Sequence, residues 1–71
     1  MIVKIRKALV DVCSIEGVQC IKRLTSTETG ITYDIIAVLK DGRDILLDVI
    51  EVDEIDATLE EILRVIKVDV F

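Results

Sequence analysis

Three runs of β-branched residues, separated by short polar segments that contain glycine, constrain the fold of this chain most strongly. The runs cover residues 18–25, 31–40 and 43–52, and Val, Ile and Thr favour extended strands. Asp41-Gly42 stands between the second and third runs and is typical of a two-residue hairpin turn. The four residues 27–30 are predicted to form a longer hairpin loop. The sequence therefore predicts a three-stranded antiparallel meander.

The segment before the meander, residues 2–15, is predicted to be an amphipathic helix whose end is marked by Gly17. Its apolar residues recur at three- and four-residue steps, and its polar residues gather on the opposite side. The predicted apolar face consists of Ile2, Ile5, Leu9, Val12 and Cys13.

A second helix is predicted after the meander. Thr58 and Glu61 have the spacing of a capping box, and Glu60 and Arg64 are placed to form an ion pair one turn apart. Residues 68–71 are a candidate final strand. The predicted fold is a single α+β domain over residues 1–71, with the meander flanked by N-terminal and C-terminal helices in the order αβββα.

The composition favours self-association. The chain has 71 residues and is 52% hydrophobic with only 3% aromatic residues, which is more apolar surface than one small core needs. An uncovered apolar sheet face marks an interface. We therefore expect a homo-oligomeric, non-enzymatic interaction or assembly module, in which a partner subunit covers one face of the sheet.

Charge and residue usage suggest the environment. Residues 1–24 carry five Lys or Arg against two acids, whereas residues 41–71 carry ten acids against three bases, so long-range attraction to nucleic acid or anionic lipid is disfavoured.

No signal peptide or membrane span is recognised, so a cytoplasmic protein is expected. The shortage of Asn and Gln and the abundance of Ile, Glu and Lys are typical of thermostable proteins.

The two cysteines allow two interpretations. Cys13 and Cys20 are expected to be buried, reduced thiols. If the source is an organism from a hot environment, a disulfide between them is the alternative.

One acidic constellation is a candidate metal site. A two-residue turn at Asp41-Gly42 fixes the strand register by counting. That register pairs Ile36 with Leu47, Asp34 with Val49 and Thr32 with Glu51. Asp34 and Glu51 are then diagonal neighbours on one sheet face, with Asp53 beyond them. Three carboxylates at one sheet end are suitable ligands for magnesium or manganese.

The same residues carry a resemblance to a known family. The order helix, meander, helix and strand, with Tyr33-Asp34-Ile35-Ile36-Ala37 followed by Glu51-Val52-Asp53, resembles the PD-(D/E)xK nucleases, in particular the archaeal Holliday junction resolvases. The resemblance implies that Asp34 and Glu51 bind the catalytic metal. Asp53 stands where that family has its lysine, and Lys22 and Lys40 are the candidate substitutes.

Two functional hypotheses therefore stay open. In the first, Asp34 pairs with Arg23 across the sheet, and Glu51 and Asp53 are solvated charges on an interaction module. In the second, the chain is a minimal or degenerate divalent-metal-dependent nuclease-like protein. Its nucleic-acid partner would then contact basic residues, namely Lys4, Lys7, Lys22 or Arg23.

Overall fold

The computed structural model describes residues 1–23, 31–66 and 69–70, the last two by their backbone alone. Two antiparallel strands, β1 and β2, form a separate hairpin, and a four-stranded sheet has the order β5-β4-β3-β6. The elements are β1 (Ile2–Ile5), β2 (Ala8–Asp11), β3 (Ile15–Arg23), β4 (Thr32–Leu39), β5 (Asp44–Glu51), α1 (Ile55–Val65) and β6 (Asp69–Val70), with 3-10 turns at Val12–Ser14 and Val52–Glu54.

The predicted N-terminal helix is wrong, and with it the αβββα order. Residues 2–11 form the β1-β2 hairpin, which joins at a two-residue turn where Arg6 adopts a positive φ of 55°. Ile5 and Val10 are buried, while Lys4 and Leu9 before them are exposed. In a segment this short, the same apolar residues fit both the two-residue repeat of a strand and the 3.6-residue repeat of a helix. The hairpin forms because its buried residues pack against the sheet.

The predicted meander is present in β3, β4 and β5, but its second turn differs from the prediction. The Leu39 carbonyl accepts a hydrogen bond from the Gly42 amide at 3.0 Å, and the Leu39 amide donates to the Arg43 carbonyl at 2.8 Å. Gly42 has φ 90°. This pattern describes a three-residue loop with glycine at the left-handed position, so the predicted two-residue turn is wrong.

The longer loop shifts the register between β4 and β5, and a bulge in β5 restores the predicted register farther along the strands. Near the loop, Val38 pairs with Asp44 and Ile36 pairs with Leu46, so the predicted Ile36–Leu47 pair is wrong. The register shifts between Ile35 and Ile36, and beyond that point the predicted pairs hold, including Asp34 with Val49 and Thr32 with Glu51. The extra residue is Leu47, which is fully buried.

The C-terminal helix is present, but it begins earlier than the capping box predicts. Helix α1 starts at Ile55, and its N-cap residue Glu54 makes no side-chain capping bond. Thr58 is buried inside the helix rather than capping it. The predicted ion pair between Glu60 and Arg64 is confirmed at 2.9 Å.

One face of the sheet, here termed the inner face, carries the core. Helix α1 contributes Ile62, and the hairpin contributes Ile5 and Val10. The other buried apolar residues are Ile15, Val18, Ile35, Ala37, Leu39, Leu47, Ile50 and Ile66. One helix and one hairpin thus stand in place of the two predicted helices. In the part of the chain that is described, no helix is long and apolar enough to cross a membrane.

Two predictions fall on the remaining residues. The predicted loop at residues 27–30 lies outside the described residues. Of the candidate final strand, Asp69–Val70 is described and pairs in parallel with Gly17 and Val18 of β3, which also shows that Gly17 lies in a strand rather than at a helix end.

Candidate functional site

The opposite side of the meander, here termed the outer face, lies outside the core. The strand ladders arrange its side chains in four rows across β3, β4 and β5. The rows are Arg23–Thr32–Glu51, Ile21–Asp34–Val49, Gln19–Ile36–Leu46 and Gly17–Val38–Asp44. The charged residues are Arg23 and Glu51 in the first row, Asp34 in the second and Asp44 in the fourth, and apolar side chains form most of the two middle rows.

The apolar residues of the outer face are partly exposed. Ile21 and Leu46 retain 45% and 47% of their accessible surface, and Ile36, Val38 and Val49 are half-buried by their neighbours in the sheet. None of these five residues belongs to the core cluster, which lies on the inner face in the described part of the chain. Together they form a continuous apolar patch on a sheet surface.

Arg23 and Asp34 form an ion pair on the outer face. Arg23 Nε lies 2.9 Å from Asp34 Oδ1, in a contact whose geometry does not make a hydrogen bond to that oxygen. The Arg23 terminal nitrogen Nη2 donates a 3.2 Å hydrogen bond to Asp34 Oδ2. The predicted cross-strand pair is therefore present, and Asp34 is engaged by a cation of its own chain.

Two of the three predicted metal-ligating residues come together, and the third does not. Glu51, Asp53 and Glu54 each place a carboxylate oxygen within 4.8 Å of the others, because the 3-10 turn at Val52–Glu54 folds the chain back beside the end of β5. Asp34 is not part of this group, and all three clustered residues are exposed. Glu54 was not predicted as part of this cluster, because the prediction assumed an extended backbone from Glu51 through Asp53.

The candidate substitutes for a catalytic lysine lie away from this acidic cluster. Lys22 pairs with Tyr33, so its side chain projects from the inner side of the sheet, opposite to Asp34. Lys40 follows β4 at the end of the sheet remote from Glu51. The element order that carried the resemblance to PD-(D/E)xK nucleases also lacks its first helix.

A charged network at the first turn was not predicted. Arg6 Nε donates a 2.8 Å hydrogen bond to Asp48 Oδ2, and Arg6 Nη1 donates one of 2.6 Å to Glu61 Oε2. Lys7 Nζ lies 3.4 Å from Asp48 Oδ1. The side chain of Asp48 is only 7% exposed, so the network joins the hairpin, β5 and α1 around a buried carboxylate.

The electrostatic interactions in this network stabilise the charged forms of Asp48 and Arg6. Burial raises the pKa of Asp48, but the hydrogen bonds that its carboxylate accepts from Arg6 and the Val49 amide, together with the nearby Lys7 ammonium, lower it, and the net pKa lies below its ordinary value. The hydrogen bonds to Glu61 and Asp48 raise the pKa of Arg6. In the sequence, the sign of this network is a single Asp, Asp48, within the otherwise apolar run of residues 45–50.

A cleft of about 460 Å³ lies beside the network. Arg6, Asp48 and Glu61 line it, but these side chains are already paired with one another. We therefore interpret these polar groups as structural, and the outer face as the better candidate for function.

The two cysteines are both free. Cys13 is exposed, so the prediction that it is buried is wrong, while Cys20 is half-buried. Burial raises the pKa of the Cys20 thiol.

Comparisons with protein-family models, curated proteins and solved structures gave no match to this chain.

Proposed function

We propose that this chain is a small non-enzymatic interaction module that assembles with a second copy of itself through the outer face. The observation that supports the proposal is the exposed apolar patch formed by Ile21, Ile36, Val38, Leu46 and Val49. A contiguous apolar sheet surface is unfavourable in water, and burial against a matching surface removes that cost. We also propose that the protein is cytoplasmic and thermostable.

The dimensions of the outer face favour a modest affinity. Three strands about 4.8 Å apart, with a rise of about 3.3 Å per residue over eight residues, give a footprint of roughly 370 Å². Protruding side chains make the accessible area larger than this footprint. A stable complex usually buries about 800 Å² on each partner, so this interface lies at the small end. We therefore expect a dimer with a dissociation constant in the micromolar range.

The composition of the outer face fits this role. Its two middle rows are mainly aliphatic and hold one charge, Asp34, which Arg23 already pairs. The other charges stand in the end rows, as in an interface with an apolar centre and a polar rim. Aliphatic β-branched side chains on a pleated surface interdigitate well between two stacked sheets. A second copy provides the same pattern and therefore an apolar surface of the same size.

Sedimentation velocity over a concentration series tests the proposal. The wild-type protein is expected to change from an 8.0 kDa monomer to a dimer between about 1 μM and about 200 μM. Leu46→Glu places a charge in the patch and is expected to abolish the dimer. Leu9→Glu is the matched control, because Leu9 is 71% exposed but lies on the hairpin. A wild-type monomer throughout, or equal losses in both variants, would contradict the proposal.

A second candidate function has one observation in its favour. The close approach of Glu51, Asp53 and Glu54 would provide carboxylate ligands for magnesium or manganese in the alternative that we propose, a minimal or degenerate divalent-metal-dependent nuclease-like protein. Manganese titration followed by NMR is expected to broaden the amide signals of residues 51–54. The double variant Glu51→Gln, Asp53→Asn should lose this effect, whereas Asp44→Asn should keep it. Uniform weak broadening of all exposed acids would exclude a specific site.

A further inference from the structure

We infer that two copies pack outer face to outer face about a twofold axis that runs nearly along β4, with Arg23 of each copy against Glu51 of the other. The inference rests on the proposed function, because it specifies how the same surface is shared. It follows from the order of charges across one end of the outer face.

The end row of the outer face is positive, neutral and negative in turn. Arg23 pairs with Thr32, and Thr32 pairs with Glu51, so the three residues cross the sheet side by side. Arg23 and Glu51 are both exposed, and they lie on opposite sides of β4, about 10 Å apart at the ordinary strand spacing. A rotation that exchanges the two sides of β4 therefore places each charge over its opposite.

The other simple twofold axis runs across the strands and is electrostatically worse. That rotation lays β5 on β5 of the second copy in the reverse direction, so Glu51 approaches Asp44 at the opposite end of the strand. Symmetry makes this contact between exposed acids occur twice. The axis along β4 instead places Asp44 over Gly17, which has no charge. Because like charges across an interface disfavour an arrangement, the charge pattern selects the axis along β4.

Asp34 lies on β4 and therefore close to this axis. It would approach Asp34 of the second copy, but Arg23 of its own chain already holds the carboxylate at 2.9 Å. In the dimer, Arg23 lies between Asp34 of its own chain and Glu51 of the other, so positive and negative groups alternate. Arginine suits this position because its guanidinium carries five N–H donors. Stacked sheets cross at roughly 30°, an offset that the long Arg and Glu side chains can span.

A charge-reversal mixing experiment tests the inference. R23E and E51R are prepared separately, and their association is measured alone and in an equimolar mixture by sedimentation velocity. In each variant alone, like charges meet twice across the axis, and dimer affinity is expected to fall by at least about tenfold. In the mixture, every reversed charge faces its opposite across the axis, so a heterodimer is expected that binds at least about tenfold more tightly than either variant alone. Its affinity stays below that of the wild type, because the R23E copy lacks the arginine that pairs with its own Asp34.

The outcomes separate the inference from the proposed function. A wild-type dimer combined with no recovery in the mixture overturns the axis along β4 and leaves self-association through the outer face intact. A wild-type protein that stays monomeric overturns both. Circular dichroism of each variant confirms that it is folded before its association is interpreted.

Salt dependence is an independent measurement. Raising the ionic strength from about 0.05 M to about 0.5 M screens the two Arg–Glu pairs, and it also screens the repulsion between two copies that each carry a net charge of −5. The double variant Arg23→Gln, Glu51→Gln keeps the apolar patch and the net charge but lacks the pairs, so added salt is expected to favour its dimer more than it favours the wild-type dimer. An unchanged salt dependence in this variant contradicts the inferred contact.

Discussion

Arg6 Nε lies 2.8 Å from Asp48 Oδ2, and this contact fastens the turn of the N-terminal hairpin to the edge strand of the sheet. The Lys7 amide donates a 3.0 Å hydrogen bond to the Leu47 carbonyl beside it. The contact therefore lies at the β5 bulge, where an extra residue leaves a strand carbonyl available to the hairpin. Hairpin, bulge and buried carboxylate form one structural unit that closes the core.

Removal of the Arg6 side chain is expected to be strongly destabilising. Arg6→Ala leaves Asp48, which is 7% exposed, without its main cation. Loss of one partner of a largely buried pair costs about 3 kcal/mol in the free energy of unfolding. Urea denaturation measures this value. Arg64→Ala, which removes an exposed helix pair, is the control and should cost less than about 0.5 kcal/mol.

The backbone at Arg6 provides a second test at the same position. A non-glycine residue with φ 55° carries a penalty of about 1 kcal/mol. Arg6→Gly removes both this strain and the ion pairs, so it should be more stable than Arg6→Ala by about that amount. Equal stabilities of the two variants would show that the turn is not strained.

Stability is expected to fall in acid because of Asp48. Its folded-state pKa is lower than its ordinary value of 3.8, so the unfolded chain binds the proton more tightly. The stabilisation is complete above that ordinary pKa and is lost as the pH falls through the lower folded-state pKa. Urea midpoints measured between about pH 5 and about pH 2 should decrease. In Asp48→Asn the decrease should be smaller, with the remainder coming from Asp11 and Asp41, whose pKa values are also lowered.

Gly42 is expected to contribute through its backbone alone. It has φ 90°, and a Cβ atom built there meets no heavy atom within 4 Å. Gly42→Ala should therefore cost about 1 kcal/mol from backbone strain without a steric clash. Lys40→Ala in the same loop is the control and should change the free energy of unfolding by less than about 0.5 kcal/mol. A loss at Gly42 larger than about 3 kcal/mol would indicate a contact with neighbouring atoms.

The two thiols are expected to react at different rates. Cys13 is exposed, whereas Cys20 is half-buried and has a raised pKa, so less of it is thiolate at neutral pH. Labelling with a maleimide, followed by mass spectrometry, should modify Cys13 at least about tenfold faster. Cys13→Ser and Cys20→Ser assign the two rates. Faster labelling of Cys20 would contradict the described burial.

Local residue pattern predicted much of the meander. Strands β3, β4 and β5 were recognised because runs of β-branched residues and a glycine turn act over short distances. The ion pair between Arg23 and Asp34 was an open alternative and is present. The pairing of Thr32 with Glu51 was also predicted, although for an incomplete reason, because the loop at Gly42 adds one residue and the bulge at Leu47 compensates for it.

At the candidate metal site, the alternation of side chains along a strand did not predict which carboxylates come together. Glu51 and Asp53 do come together, but they do so with Glu54 rather than Asp34. The 3-10 turn at Val52–Glu54 changes the direction of the chain after β5. A period of two assumes an extended backbone, so it does not describe residues beyond the strand end.

The sequence by itself determined that the chain has an aliphatic meander with two apolar faces, followed by an amphipathic helix, because these follow from residue type and local periodicity. Only the tertiary structure decided that residues 2–11 form a hairpin. Their pattern suits a helix or two short strands, and the choice depends on Ile5 and Val10 entering the core and on Arg6 reaching Asp48 and Glu61. The contacts of Arg6 with Asp48 and Glu61 join residues more than forty positions apart, and a local residue pattern carries no information about such contacts.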